Sequence, residues 1–273
     1  MLTSLLPPLL AALTAAPPVQ WVWSCQGTDP RLERLADAIE HGNIDVVRTQ
    51  LDGGADVNET WRDSRNPMLC RSLLLRSVWY GQDEIFRLLL KRGADAASLP
   101  RESLQIPVRN GRVEMVRTLF ALGMKPYDND EILSAGLESR NLGMLELLLS
   151  SGIAINPSAL PVYTLTDDIV RFLVPKYLSP NARTGVGTEA CDIDKLFGLL
   201  RKNQDGCEGA AGPLWLHFVL TGNYAVVDFM IKNGADLRLN GEGVRSFTGM
   251  EVAAKRKDTR MMDLLRRAGA PGR

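Results

Sequence analysis

A pair of glycines twelve residues apart recurs along this chain and constrains its fold more than any other feature. The pairs are Gly42 and Gly54, Gly81 and Gly93, Gly111 and Gly123, and Gly222 and Gly234. A period of about 20 to 50 residues is typical of repeat proteins, in which each unit is one supersecondary element stacked on its neighbours. The chain is therefore predicted to be an array of similar units.

Each glycine pair encloses a short amphipathic segment. The four segments are NIDVVRTQL (43–51), QDEIFRLLL (82–90), RVEMVRTLF (112–120) and NYAVVDFMI (223–231). Their apolar residues fall at i, i+1, i+4 and i+5, which places one apolar stripe on a helix. The second glycine ends that helix, because a left-handed residue after the last turn costs least at glycine. Further apolar runs precede the first glycine, as at 32–41 and 71–80.

Three weaker copies extend the array. The copy at 132–156 has Arg140 in the first glycine position, and the copy at 158–181 has Tyr177 in the second. The copy at 248–270 has Lys257 in the first position and Gly269 twelve residues later. The sequence therefore predicts an all-α solenoid of six to seven helix-turn-helix units, near 31–58, 68–97, 100–127, 130–156, 158–181, 208–238 and 246–273.

The unit tails carry a resemblance to a known family. Residues 54–58 read GADVN, residues 93–95 and 234–236 read GAD, and residues 248–254 read TGMEVAA. This resembles the ankyrin-repeat family, here of an exported bacterial type, although no unit has a full T-P-L-H and His217 lies one residue off the register that Gly222 sets. In each tail glycine stops the helix and the acidic or amide residue shapes the following turn.

The resemblance implies where a partner would bind. Ankyrin proteins usually contact partners through the two positions before the first glycine and through the loop fingers of a concave face. Those positions are Glu40 and His41, Trp79 and Tyr80, Arg109 and Asn110, Leu220 and Thr221, and Lys255 and Arg256. Trp79 and Tyr80 beside Arg109 have the composition of a binding hot spot. The alternative for Trp79 is packing beneath the neighbouring finger.

Two spacings between units are longer than the others. Steps of 39 and 57 residues place a lengthened finger at 59–70 and an insertion at 182–207, which includes a predicted helix at 192–202. Insertions in a solenoid project as loops, often on the binding face. Trp61 and Arg62 in the first finger are the second candidate contact, and the alternative is a disulfide-held loop without a partner.

The four cysteines, Cys25, Cys70, Cys191 and Cys207, show no C-x-x-C spacing for zinc or thiol redox chemistry. Their even number suits an oxidising compartment. Cys25 and Cys70 flank the first unit, while Cys191 and Cys207 bracket the insertion, so we predict these two disulfides. All three connectivities remain open.

The N-terminal segment 1–20 has no charged side chain, and its proline-broken leucine stretches are too short to span a bilayer. A signal peptide is predicted, which places the protein in the periplasm or outside the cell. If the segment is not a signal, the protein is cytoplasmic. A lipoprotein anchored at Cys25 is a further alternative, but Trp23 is bulky for the lipidation motif.

Composition and site chemistry narrow the function classes. Lys plus Arg and Asp plus Glu are both 32, so no overall field attracts nucleic acid, and the basic run at 255–260 is read as the polar cap that ends the array. His41 and His217 are the two histidines; they are interpreted as surface or capping residues because neither has neighbouring ligands. We expect no cofactor or metal, and a monomer when the protein is alone.

The leading hypothesis is a non-enzymatic scaffold that binds a protein partner through its concave face in an exported compartment. A sharper version is an inhibitor or immunity protein for a secreted toxic enzyme. The alternatives are a cytosolic regulatory ankyrin protein with free thiols, an oxidative-stress accessory protein, and an enzyme that uses His41 or His217.

Overall fold

The computed structural model describes residues 30–63, 66–185, 211–241 and 246–272. These residues form thirteen α-helices, several short 3₁₀ turns and two antiparallel sheets of two strands each. The predicted all-α solenoid is confirmed. The described helices are too short to span a bilayer with apolar side chains.

The helices fall into two stacks. The first helices of the units are α1 (Pro30–Glu40), α3 (Leu73–Trp79), α5 (Gln105–Arg109), α7 (Asn129–Glu138), α10 (Leu214–Thr221) and α12 (Gly249–Lys255). The second helices are α2 (Ile44–Asp52), α4 (Asp83–Lys91), α6 (Val113–Ala121), α8 (Leu142–Ser150), α9 (Asp167–Leu173), α11 (Tyr224–Lys232) and α13 (Thr259–Arg267). Each first helix packs on the next and each second helix on the next, except where unit 4 meets unit 5.

The apolar sides of the first and second helices together form the core, and the second helices repeat one pattern of burial. In α4 the buried side chains are Ile85, Phe86 and Leu89, and α6 and α11 repeat that spacing. A polar residue just before five of the seven second helices caps the helix; Asn141, for example, accepts a hydrogen bond from the Met144 amide at 3.2 Å. Such a cap satisfies one of the unpaired amides of the first turn.

Helix ends follow the glycine spacing. The second glycine of six units is left-handed, with φ between 82° and 91° at Gly54, Gly93, Gly123, Gly152, Gly234 and Gly269. Arg140 and Lys257, predicted to replace the first glycine, also adopt φ of 52° and 57°. The same turn is therefore imposed on side chains that disfavour it.

Asparagine side chains join the tail of one unit to the tail of the next. Asn58 Nδ2 donates to the Gly93 carbonyl at 3.0 Å, and its Oδ1 accepts from the Asp95 amide at 2.8 Å. Asn181 makes the same two bonds with Gly234 and Asp236, at 2.9 and 2.7 Å. Unit 6 thus lies directly on unit 5, although the insertion separates them in sequence.

A pair of antiparallel strands accompanies both the lengthened finger and the insertion. Strands β1 (Thr60–Asp63) and β2 (Asn66–Ser72) pair antiparallel just before α3. Strands β3 (Arg183–Gly185) and β4 (Ala211–Pro213) pair in the same way just before α10. The helix predicted at 192–202 lies outside the described residues.

Unit 5 departs from the predicted helix-turn-helix. Its first half consists of two 3₁₀ turns, Pro157–Ala159 and Val162–Thr164, and only α9 is helical. Pro161 explains the loss, because proline disfavours a helical residue before it and cannot donate a helical hydrogen bond. Tyr177, at the second glycine position, is not among the left-handed residues.

Candidate partner-binding surface

The end of the first unit is tied to the second by a buried arginine. Arg76 in α3 is 4% exposed, and its Nη2 lies 2.5 Å from Glu40 Oε2 at the end of α1. Its guanidinium carbon also lies 5.3 Å from the ring centroid of Tyr80. A buried charge of this kind needs a close partner, and the ion pair provides one.

Tyr80, rather than Trp79, presents the aromatic surface of this unit. Tyr80 caps α3 and is 37% exposed, while Trp79 is partly buried and packs against the core. Trp79 thus packs against the core, and its predicted role in partner binding stays a prediction. Tyr80 rests on the Arg76 guanidinium, which limits the orientations of its ring.

Arg109 is held by an acidic side chain of the next unit. Its Nε lies 2.7 Å from Glu138 Oε2, with the two side chains 47% and 37% exposed. Gln105 Nε2 donates to Glu131 Oε1 at 2.8 Å in parallel, and Asn110 is exposed at the end of α5. Arg109 therefore presents an oriented guanidinium edge.

The sequence prediction missed two further residues that lie at the same position in their units. Glu138 lies two positions before Arg140, and Tyr163 lies two positions before Leu165, as Arg109 does before Gly111. Tyr163 is 71% exposed. The same offset rule would have found both residues, but neither unit has a glycine at the reference position.

The terminal units contribute exposed polar side chains. His41 Nδ1 lies 2.9 Å from the Asp37 carbonyl oxygen, and its side chain is 70% exposed. Lys255 and Arg256 are exposed at the end of α12, and Thr221 is exposed at the end of α10. The side chains of Trp61 and Arg62 lie outside the described part of the chain.

We define the first-helix row as the exposed side chains just before the turn to the second helix. Its members are His41, Tyr80, Arg109, Asn110, Glu138, Tyr163, Thr221, Lys255 and Arg256. Neighbouring stacked helices are about 8 to 10 Å apart, so Tyr80 in unit 2 and Glu138 in unit 4 are separated by roughly 16 to 20 Å. The row is long enough for a protein surface.

The two histidines lie at opposite ends of the array. His217 is 7% exposed in α10 and lies edge-on to Phe218, with ring centroids 5.1 Å apart. Burial lowers the pKa of His217 from 6.5 to about 4. The interpretation of His217 as a surface or capping residue is therefore wrong; it is an uncharged core side chain in unit 6, five units away from His41.

Two open clefts lie away from the first-helix row. One of about 350 Å³ lies between α1 and the end of α2, and Arg31, Asp56 and Glu59 are among its lining residues. Another of about 160 Å³ lies between α4 and α6. Within the described residues, no three His, Cys, Asp or Glu side chains come close enough together to hold a metal ion.

The cysteine pairings remain predictions. Cys25, Cys191 and Cys207 lie outside the described residues. Cys70 lies in β2, where the backbone alone is described.

Comparison with known proteins supports the architecture. The crystal structure of the human ASB11 ankyrin repeat domain is similar to this chain, with a TM-score of 0.58 and 16% sequence identity. The alignment covers 90% of this chain and 100% of that domain. No protein-family model and no curated protein sequence matches the chain. At this identity the likeness shows the fold alone.

Proposed function

Since the chain has the ankyrin-repeat fold, we propose that it is a non-enzymatic scaffold that binds another protein through the first-helix row, on the concave side of the array. The observation that carries this proposal is that Tyr80 and Arg109 are both held in place. Glu138 of the next unit holds Arg109, and Arg76, which pairs with Glu40 of unit 1, lies against the ring of Tyr80. Aromatic and arginine side chains dominate binding hot spots, and side chains that are already ordered lose less entropy on binding.

The test compares variants of the row with matched residues of the second-helix stack. Arg109 and Arg117 both belong to unit 3 and each pairs with a glutamate, at 2.7 and 3.4 Å. Tyr80 and Tyr177 are 37% and 38% exposed. Tyr80→Ala with Arg109→Ala is the test variant, and Tyr177→Ala with Arg117→Ala is its control.

Partners would be captured on the wild-type chain, and the Kd of each purified partner would be measured by calorimetry. We expect the Tyr80 and Arg109 double variant to weaken binding by about 30-fold or more, since a hot-spot residue contributes about 2 kcal/mol. The control should stay within about threefold of wild type. Equal loss in both variants, or loss in the control alone, would remove the first-helix row from the proposal.

We further propose that the protein acts in an exported compartment, with residues 1–20 as its signal peptide and disulfides at Cys25–Cys70 and Cys191–Cys207. The uncharged N-terminal segment and the even cysteine count support this location. Intact-mass measurement of the native protein should show loss of the N-terminal segment and no alkylation of the cysteines. An intact Met1 with four alkylated cysteines would contradict export.

A narrower proposal is that the partner is a secreted toxic enzyme and that this chain is its inhibitor or immunity protein. A long row of fixed side chains is suited to covering an enzyme surface. If the captured partner is an enzyme, stoichiometric addition of the chain should abolish its activity, and the Tyr80 and Arg109 variant should restore it. A captured partner whose activity is unaffected would reject the inhibitor role and leave the binding function standing.

A further inference from the structure

The boundary between units 4 and 5 differs from the other boundaries of the array. Second helices pack closely across most boundaries, as α6 does with α8 and α9 with α11. Among the described elements, neither α7 nor α8 makes comparable packing with α9 or with the 3₁₀ turns of unit 5. The missing first helix of unit 5 removes one of the two usual contact layers.

Polar contacts are also missing at this boundary. Other neighbouring units are joined by side chains, such as Arg92 with Asp52 at 2.8 Å and Arg112 with Asp83 at 3.2 Å. Within the described residues, 129–156 and 157–181 share only the local hydrogen bonds of the turn at Asn156. No ion pair or long-range hydrogen bond crosses this part of the described chain.

Unit 5 is instead fixed to unit 6. Besides the Asn181 bridge, Asn223 Nδ2 donates to Asp167 Oδ1 at 2.7 Å. The Trp215 amide donates to the Pro180 carbonyl at 3.2 Å, and Arg171 lies 4.8 Å from the Phe229 ring centroid. Unit 5 therefore belongs structurally with the units that follow it.

Apolar contact still connects the two sides. The buried residues of α8 and of unit 5, such as Leu148, Val162 and Ile169, belong to one continuous core. Such contact is non-directional, so it does not fix the relative position of the two surfaces as hydrogen bonds do. In a repeat array, cooperativity depends on the coupling between neighbours, and a weak interface divides the array.

We propose that the array consists of two blocks, residues 30–156 and residues 157–272, that unfold as separate cooperative units at the boundary between units 4 and 5. The N-terminal block contains units 1 to 4 and the C-terminal block contains units 5 to 7. The boundary is the weakest interface of the molecule and the first to open under denaturant or load.

Trp215 supplies a local probe, because it is fully buried in α10 of the C-terminal block. The reporter protein keeps Trp215 and carries phenylalanine at the other four tryptophans, Trp21, Trp23, Trp61 and Trp79. Leu119→Ala and Leu265→Ala are the matched variants, since both side chains are 0% exposed and lie in different blocks. Urea unfolding is followed by Trp215 fluorescence.

We expect Leu265→Ala to lower the Trp215 midpoint by about 1 M urea, as a core leucine truncation should. Leu119→Ala should leave that midpoint within about 0.2 M, because its block is uncoupled from the probe. Equal shifts in both variants would overturn the two-block proposal.

A second measurement tests the proposal without the single-tryptophan reporter protein, in case that protein does not fold. Limited proteolysis of the unmodified protein across a urea series should leave one fragment that begins or ends close to residue 157, since one block outlasts the other. Simultaneous loss of the whole chain, with no such fragment at any urea concentration, would equally reject the proposal.

Discussion

The N-terminal and C-terminal blocks use the same unit but different chemistry between units. In the N-terminal block, charged side chains cross the boundaries, as in Arg76–Glu40, Arg92–Asp52 and Arg109–Glu138. In the C-terminal block, aromatic rings and amides replace most of them: Arg260 lies 4.0 Å from the Tyr224 ring centroid, and Asn223 binds Asp167. The difference indicates that apolar stacking defines the fold, while the polar contacts between units are interchangeable.

Acid should distinguish the blocks most strongly, through His217 in the C-terminal block. Its imidazole is uncharged in the fold with a pKa of about 4, whereas the unfolded chain has its ordinary value of 6.5. The unfolded state therefore binds more protons in this window, so stability is full above pH 6.5 and is lost as the pH falls towards 4. The loss should reach about 3 kcal/mol at pH 4.

His217→Leu is the test variant for this effect, and His41→Gln is the exposed control. Chemical unfolding at a series of pH values should show a shallower pH dependence for His217→Leu between pH 6.5 and 4. His41→Gln repeats the measurement with a substitution at an exposed histidine. An unchanged slope in His217→Leu would show that its burial does not control the acid sensitivity of this block.

A packing change should weaken the N-terminal block alone. A Cβ at Gly136 in α7 would lie 2.5 Å from Leu148 Cδ1 of α8, so Gly136→Ala should cost about 1 to 3 kcal/mol through overpacking. Gly143 lies on the exposed side of α8 in the same unit, where a Cβ would lie 3.2 Å from the capping oxygen of Asn141, so Gly143→Ala should change stability by no more than about 0.5 kcal/mol. Thermal unfolding of both variants measures the difference; a neutral Gly136→Ala would mean that α7 and α8 can move apart freely.

The asparagine bridges should contribute equally in the two blocks. Asn58→Ala and Asn181→Ala each remove one donor and one acceptor bond between unit tails, so each should lose about 1 to 2 kcal/mol in its own block. Asn110→Ala, an exposed residue at the end of α5, is the control and should change stability little. The urea midpoint of each block measures the stability lost in each variant. A large loss for one of the two asparagine variants and none for the other would show that the two bridges are not equivalent.

Salt should produce the smallest effect. Raising NaCl from about 0.05 to 1 M screens exposed ion pairs such as Arg92–Asp52, each of which is worth about 1 kcal/mol or less. The N-terminal block should lose stability relative to the C-terminal block, whose aromatic contacts depend less on charge pairing. The stability of each block is measured by urea unfolding at a series of NaCl concentrations. A larger loss in the C-terminal block than in the N-terminal block would contradict the proposed difference in chemistry between the blocks.

Sequence reasoning found the units because glycine spacing and the apolar stripe are local properties. The spacing placed Arg140 and Lys257 in the first glycine position, and the structure shows that both residues are left-handed there although their side chains disfavour it. The loss of the first helix in unit 5 was missed, although Pro157 and Pro161 carried the signal. Unit 5 keeps the apolar pattern of its second helix, so its sequence still matched the repeat although its first helix is absent.

The candidate site was less predictable because it depends on contacts between units. The sequence places Tyr80 and Arg109 at the offset that defines the first-helix row, but it does not show that Arg76 and Glu138 hold them. His217 could not be assigned from its register, because burial in α10 depends on packing against neighbouring units.

Native-state hydrogen exchange as a function of urea tests the two-block array most directly. The account predicts that the slowest amides of α3 to α8 converge on one opening free energy, and those of α9 to α11 on another. A single shared value for all these helices, at every urea concentration, would contradict it.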